Sequence, residues 1–391
     1  MYDPSSAEII RSAGAGDPVA LTRVLVATPS VNPQMEAGGA AEGAVAELTA
    51  GWLQDWGLAT ETTEVAPGRY NVVATLDGDG PTLLLNGHMD TVGVGGMTIE
   101  PFEAVIEGGR LWGRGSCDMK SGLGVILAAT RRLASHGARP NLIVALTADE
   151  EQASAGMYSF VASGMSADLA VVTEPTSLKV MPAHKGFVWI EASFSGRAAH
   201  GSRPDLGVDA IRHAALYLAS LDEYAAELKS REEHPLLLHG SIHAGTITGG
   251  TAPSVYPDAC KLLVERRTMP GERPEDVVAE FQRVLNDLVQ REPGIDGKLE
   301  MTLERPGTEV PEDSPLVQGL LRASDAHGVE PRIEGMTAWV DAALLNEAGI
   351  PAVCFGPGDI AQAHTEDEWV DVEQIRTCAD VLETFARALA D

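Results

Sequence analysis

Cysteine is scarce in this chain. The four present, Cys117, Cys260, Cys354 and Cys378, are scattered and form no Cys-x-x-Cys pair. They read as free thiols of a reducing compartment rather than as disulfides, so a cytoplasmic protein is expected. Basic residues are also few: 28 Lys and Arg stand against 57 Asp and Glu, a formal net charge of −29. Nothing here would neutralise phosphates, which argues against a nucleic-acid partner. No uninterrupted apolar stretch reaches membrane-spanning length, so no membrane partner is expected. The opening Met1-Tyr2-Asp3-Pro4-Ser5 lacks the basic region and apolar run of a signal peptide. Internal repeats and low-complexity linkers are lacking too. With 391 residues, 44% of them hydrophobic, the chain is long enough for two cores.

What is present begins with Leu83-Leu84-Leu85-Asn86-Gly87-His88-Met89-Asp90-Thr91-Val92. Three apolar residues run into a His-x-Asp pair, so a buried strand delivers His88 and Asp90 to its C-terminal edge. In α/β sheets that edge collects active sites. A metal-bound imidazole usually donates its other N–H to a carboxylate or carbonyl. Alone, the pair reads equally well as a structural histidine with its partner.

Gly113-Arg114-Gly115-Ser116-Cys117-Asp118-Met119-Lys120-Ser121-Gly122-Leu123-Gly124 is a glycine-rich loop ahead of a helix over about 125–134. Its glycine order fits no nucleotide-binding fingerprint. Asp118 reads either as a ligand held just before the helix or as its N-cap. The apolar strand Asn141–Thr147 ends in Ala148-Asp149-Glu150-Glu151, and Leu169–Thr173 delivers Glu174 ahead of Pro175. Consecutive carboxylates at the end of a buried strand repel one another and call for a cation. Carboxylate oxygens with imidazole suit zinc, manganese or cobalt.

From Phe187 the pattern changes to alternating strands with two long helices, 207–228 and 274–291, a compact α+β unit. Catalytic-type patterning resumes near Pro311, with a loop carrying His364 and a closing helix over 372–390 downstream of Glu366-Asp367-Glu368. The expected organisation is a catalytic domain in two parts, 1–186 and 307–391, interrupted by an inserted domain at 187–306.

Taken together, five ordered motifs resemble the M20 family of metallopeptidases and deacylases, which includes acetylornithine deacetylases, desuccinylases, aminoacylases and glutamate carboxypeptidases. They are Gly87-His88-Met89-Asp90-Thr91-Val92, Gly113 to Lys120, Thr147-Ala148-Asp149-Glu150-Glu151, Thr173-Glu174-Pro175 and Ala363-His364-Thr365. The resemblance implies an α/β fold: a zinc-exopeptidase-like catalytic domain, a mixed sheet flanked by helices, with an inserted α+β lid or dimerisation domain. It also implies two divalent ions per chain, zinc first, with cobalt or manganese as alternatives. His88 and Glu174 would hold one, Glu151 and His364 the other, with Asp118 shared and Asp90 orienting His88. Glu150 would be the general base. His200, in Gly196-Arg197-Ala198-Ala199-His200-Gly201-Ser202-Arg203-Pro204, matches a histidine that reaches the partner subunit's active site in a homodimer. Arg267 matches an arginine that binds the substrate carboxylate, with Arg266 beside it. Ser254 departs from the family's usual asparagine after the paired glycines. The implied reaction is hydrolysis of the amide bond of an N-acyl amino acid. Glutamate at position 174 marks the deacylase members; the alternative is a carboxypeptidase or dipeptidase acting on a short peptide. A non-catalytic binding protein on this fold is the remaining reading.

Overall fold

The main sheet is built from β1 (Ala59–Ala66), β2 (Arg69–Leu76), β3 (Thr82–His88), β4 (Asn141–Thr147), β5 (Leu169–Val172), β6 (Val180–His184) and β7 (Ala352–Cys354) in a computed structural model that describes residues 6–390. The reading of the first five residues as lacking a signal peptide lies outside the described residues. Strand order is β1-β2-β4-β3-β5-β7-β6. β3 is parallel to β4 and β5, and β5 is parallel to β7. β1 and β2 join as an antiparallel pair at one end.

Strands covered on both faces read as continuous apolar runs, and Leu83, Leu84, Leu85, Val144 and Leu146 are each at most 1% exposed. Burying each such leucine or valine contributes about 1.5–3 kcal/mol. Parallel alignment puts the C-terminal ends of β3, β4 and β5 on one edge. The register sharpens this. His88 pairs with Thr147, and Asn86 with Val172, so Glu150 and Glu174 follow their strands level with His88.

Helices around this sheet start where their caps dictate. Asp17 accepts from the Ala20 N–H at 2.7 Å ahead of Pro18–Val26, with Pro18 in the first turn. Asp371 likewise caps Val372–Arg387 by accepting from the Glu373 and Gln374 N–H groups. The helix Gly43–Asp55 begins only after 32–39, which is taken up by a tight series of backbone turns. The glycine-rich stretch leads into the helix Ser121–Ala134. At Gly122 a Cβ would lie 2.3 Å from the Thr173 carbonyl oxygen, so only glycine lets this helix approach the end of β5.

The chain divides into two compact units: Met1–Pro182 with Val310–Glu334 and Val340–Asp391, and Ala183–Glu309 with Gly335–Trp339. In the second, an antiparallel sheet runs in the order Ser241–Gly249, Ala259–Thr268, Gly186–Ser195, Asp296–Arg305. Alternate residues of Gly186–Ser195 are buried. Val188, Ile190 and Phe194 pack with Tyr217 of the helix Ala210–Ser230 and with Phe281 of Pro274–Arg291. One face of the sheet is thereby covered, as the alternation requires. All four cysteines of the chain are free and buried. No helix among the described residues is long and apolar enough to cross a membrane.

Candidate metal centre

Six side chains of the first unit converge at the C-terminal edge of β3, β4 and β5. His88 ends β3 and is 2% exposed. Its Nε2 lies 3.1 Å from Asp118 Oδ1, 3.9 Å from Glu174 Oε1 and 4.0 Å from Glu150 Oε2. His364 approaches from a loop with a φ of +63° and a half-exposed side chain. Its Nε2 lies 3.0 Å from Glu151 Oε2 and 3.4 Å from Asp118 Oδ2. Asp118 therefore stands between the two histidines, one carboxylate oxygen toward each. His88, Asp118 and Glu151 offer ligand atoms within 4.8 Å of one another, close enough to hold a metal ion.

These contacts bear on the two alternatives left open by sequence. Asp118 does not cap the following helix, which has no side-chain cap at all. His88 is not an isolated core histidine, since four acidic side chains surround its ring.

Asp90 sits behind His88, and the detail differs from simple carboxylate orientation. His88 Nδ1 is 3.0 Å from the Asp90 backbone carbonyl and 3.6 Å from its carboxylate. The carboxylate instead accepts from Asn32 Nδ2 at 2.8 Å and from the Glu150 and Glu151 N–H groups at 3.1 and 3.4 Å. One residue thus holds both the imidazole and the turn after β4. Behind it lies a buried network that no local spacing in the sequence announces. Arg69 donates to Glu42 and, at 2.9 Å, to Asp149, and stands 3.6 Å from Asp90. Asn32 donates to Asp149 as well as to Asp90. Asp341, buried at the start of the helix Ala342–Glu347, is a further carboxylate close enough to act on Glu150 and Glu174.

The electrostatics follow from crowding in a dry place. Burial, with the charges of Asp118, Glu151 and Asp341, pushes Glu174 up to about 8 against the opposing pull of His88. Burial raises Glu150 well above the usual carboxylate range, helped by Glu174, Asp341 and Glu151. Asp118 is the exception: burial opposes its charge, but hydrogen bonds from His364 and His88 hold it well below that range. Those same bonds to Asp118 and Glu151 push His364 up to about 10. Lys120, fully buried beside the site with Nζ donating to the Thr28 carbonyl at 2.7 Å, is lowered to about 7 by that burial. Glu151 Oε1 is buried without a hydrogen-bond partner. Clustered buried carboxylates, one with an orphaned oxygen, and two imidazoles form a donor set that suits divalent cations.

The other expected site residues lie in the second unit. His200 is exposed; its Nδ1 accepts from the Ser202 N–H at 3.2 Å and contacts Ser202 Oγ at 2.8 Å. An accepting Nδ1 leaves the proton of a neutral ring on Nε2. Arg267 donates from Nε to Glu265 at 2.7 Å and lies over the Phe187 ring at 5.2 Å. Arg266 is fully buried and donates to Glu272 at 2.6 Å and to the Arg267 carbonyl, contacts that tie it into its own unit. The Ser254 carbonyl accepts from the Gly201 N–H at 2.7 Å, one residue past His200.

Residues 84–388 match the peptidase family M20/M25/M40. Acetylornithine deacetylase of Myxococcus xanthus is 34% identical over 331 residues, which cover 82% of this chain and 84% of that protein. Among solved structures, the aminopeptidase PepT of Bacillus cereus ATCC 10987 matches with a TM-score of 0.79 at 21% identity, covering 96% of this chain and 99% of its own. A dinuclear metal-binding peptidase of the M20 family from Bacillus subtilis matches with a TM-score of 0.73 at 17% identity, covering 97% and 99%. Both structures share the mixed-sheet fold. The family match takes in all five motifs, and the chain belongs to the M20/M25/M40 peptidase family of metal-dependent amidohydrolases.

Proposed function

We propose that this protein removes the acyl group from an N-acyl amino acid, using two divalent ions held on either side of Asp118. The observation that carries this reading is the division of the Asp118 carboxylate between His88 and His364. His88 and Glu174 would hold one ion, Glu151 and His364 the other, and Asp118 both. The donors fit zinc, with cobalt or manganese as substitutes. Bound in this way, such ions supply Lewis acidity, polarising the scissile carbonyl and making water acidic enough to attack near neutral pH.

The remaining steps belong to the chain's own residues. Asp90 fixes the His88 ring through its carbonyl and the Glu150 backbone through its carboxylate. Glu150 is left as the proton carrier, taking a proton from the attacking water and passing it to the departing amine. Burial disfavours its charged form in the metal-free chain, and a carboxylate that readily takes up a proton suits this task. Arg267 would receive the substrate carboxylate, since a guanidinium fork matches that geometry. His200, with its proton on Nε2, would steady the developing oxyanion. The inserted domain, 187–306, would pair two chains, with His200 of each serving its partner's site. The four free cysteines support a cytoplasmic location.

Acetylornithine deacetylases among the relatives support N-acetyl-ornithine as the first substrate to test. The test compares kcat/KM for N-acetyl-ornithine, N-succinyl-diaminopimelate and N-acetyl-methionine with that for a peptide ending in glutamate. An acyl amino acid preferred over the peptide is expected. A peptide preferred about tenfold, or 1.4 kcal/mol, over every acyl amino acid would overturn the reading.

A further inference from the structure

The acidic run ahead of the last helix divides in the fold. Glu366 and Asp367 are exposed, whereas Glu368 is fully buried. Its Oε2 accepts from Arg114 Nη1 at 2.7 Å and from the Gly115 N–H at 2.9 Å. Its Oε1 accepts from the Cys117 N–H at 2.8 Å and the Asp118 N–H at 3.0 Å. A carboxylate offers about four lone-pair sites, so this one is saturated. Gly115, at a φ of +78°, supplies the left-handed turn that aims these N–H groups at it.

Arg114 carries the contact onward. Its Nη2 donates to the Thr365 carbonyl at 3.2 Å, next to His364, and its Nε to the Gly93 carbonyl at 3.0 Å. The Gly113 N–H also donates to the Glu368 carbonyl at 3.0 Å. The loops bearing Asp118 and His364 are therefore held to one buried ion pair. His88 and Glu174, by contrast, are carried by the ends of β3 and β5, which the sheet fixes directly.

We infer that Glu368 is a positioning residue: through Arg114 and the backbone of Asp118 it sets the spacing of Asp118 and His364, and so the affinity for the ion on the His364 side. This rests on the two-ion reading above. Glutamine keeps one acceptor oxygen and presents an NH₂ to two of the four donors, so Glu368→Gln breaks either the Arg114 half or the Asp118 half of the clamp. Outer contacts of this kind are typically worth 10–100-fold in metal affinity.

The test is equilibrium dialysis of metal-free protein against cobalt(II). Wild type should take up two ions. Glu368→Gln should weaken one binding step about 10–100-fold. In a His364→Ala background, which keeps only the His88-side ion, adding Glu368→Gln should weaken that ion several-fold less than it weakens the His364-side ion, because of its ligands only Asp118 hangs on the clamp. Two unaltered binding steps would overturn the inference, as would an equal loss in the His364→Ala background, because Glu368 would then be merely structural. If Glu368→Gln does not fold, Arg114→Lys decides in the same way: it keeps the charge beside Glu368 but loses the fork to Thr365, and an unaltered second step there would also overturn the inference. Fewer than two ions bound by wild type would instead defeat the two-ion reading, whatever Glu368 does.

Discussion

The backbone N–H of Glu150 donates to Asp90 Oδ1 at 3.1 Å, so the residue that holds His88 also sets the starting point of the neighbouring acidic turn. Glu151 donates from its own N–H to the other oxygen of Asp90. From these two moorings the side chains diverge. Glu150 reaches toward His88, at 4.0 Å, and Glu151 toward His364, at 3.0 Å. Adjacent carboxylates with opposite destinations are suited to different tasks.

That divergence predicts different behaviour on substitution. Glu150→Gln should keep its bound metal and lose about 10²–10⁴-fold in kcat, the usual range for a general acid–base. Glu151→Ala should lose metal together with rate. Metal analysis beside steady-state kinetics checks both. Equal metal content with equal loss of rate in the two variants would contradict the separation.

Removing metal should make stability pH-dependent, in a direction fixed by Glu174. Its folded-state value of about 8 lies above the ordinary 4.5, so the folded protein holds a proton that the unfolded chain releases. The metal-free protein therefore loses stability as pH rises from about 4.5 to about 8. His364, raised from 6.5 to about 10, adds a loss above neutrality. Three lowered groups act in the opposite sense: Asp118 only near and below its ordinary 3.8, His184 between about 4 and 6.5, and Lys120 between about 7 and 10.5, against the larger number of raised carboxylates and imidazoles. Thermal melts of chelated protein at pH 5, 6.5 and 8 should show Tm falling across the series. Metal-replete protein should fall less, because ion binding draws on the deprotonated ligands. A chelated Tm that rises toward pH 8 would contradict this.

Arg69 is a cationic partner of three buried carboxylates, Glu42, Asp90 and Asp149, with 4% of its own side chain exposed. Arg69→Met leaves those charges uncompensated. Breaking one partner of a buried pair costs about 3–5 kcal/mol, and a loss of that order is expected in chemical denaturation. A change under about 1 kcal/mol, the range of exposed pairs, would show that the network is effectively solvated.

The parts of this site that were legible in sequence share one property: each is carried by a strand end or a motif whose local spacing reflects it. Leu83–Leu85, Ile143–Leu146 and Leu169–Val172 are apolar runs because their strands are buried on both faces, and His88, Glu150, Glu151 and Glu174 follow at the ends of those runs. Asn32, Glu42, Arg69, Asp341 and Glu368 were not legible. Their partners lie far off in sequence, and only the packing of loops against the sheet edge brings them together. Glu368 was hidden by company, since beside Glu366 and Asp367 it reads as part of a solvated acidic run. Some strands were not legible either. Val180–His184 contains Pro182, which disguises a strand, and Asp296–Arg305 is an edge strand whose charged residues face solvent.

The most direct measurement of the two-ion claim is anomalous scattering at the zinc edge from crystals of the active, zinc-loaded enzyme. The account predicts two peaks about 3.5–4 Å apart, one against His88 and Glu174, one against His364 and Glu151, with Asp118 between them. A single peak in fully active enzyme, or a pair that leaves Asp118 unligated, would contradict it.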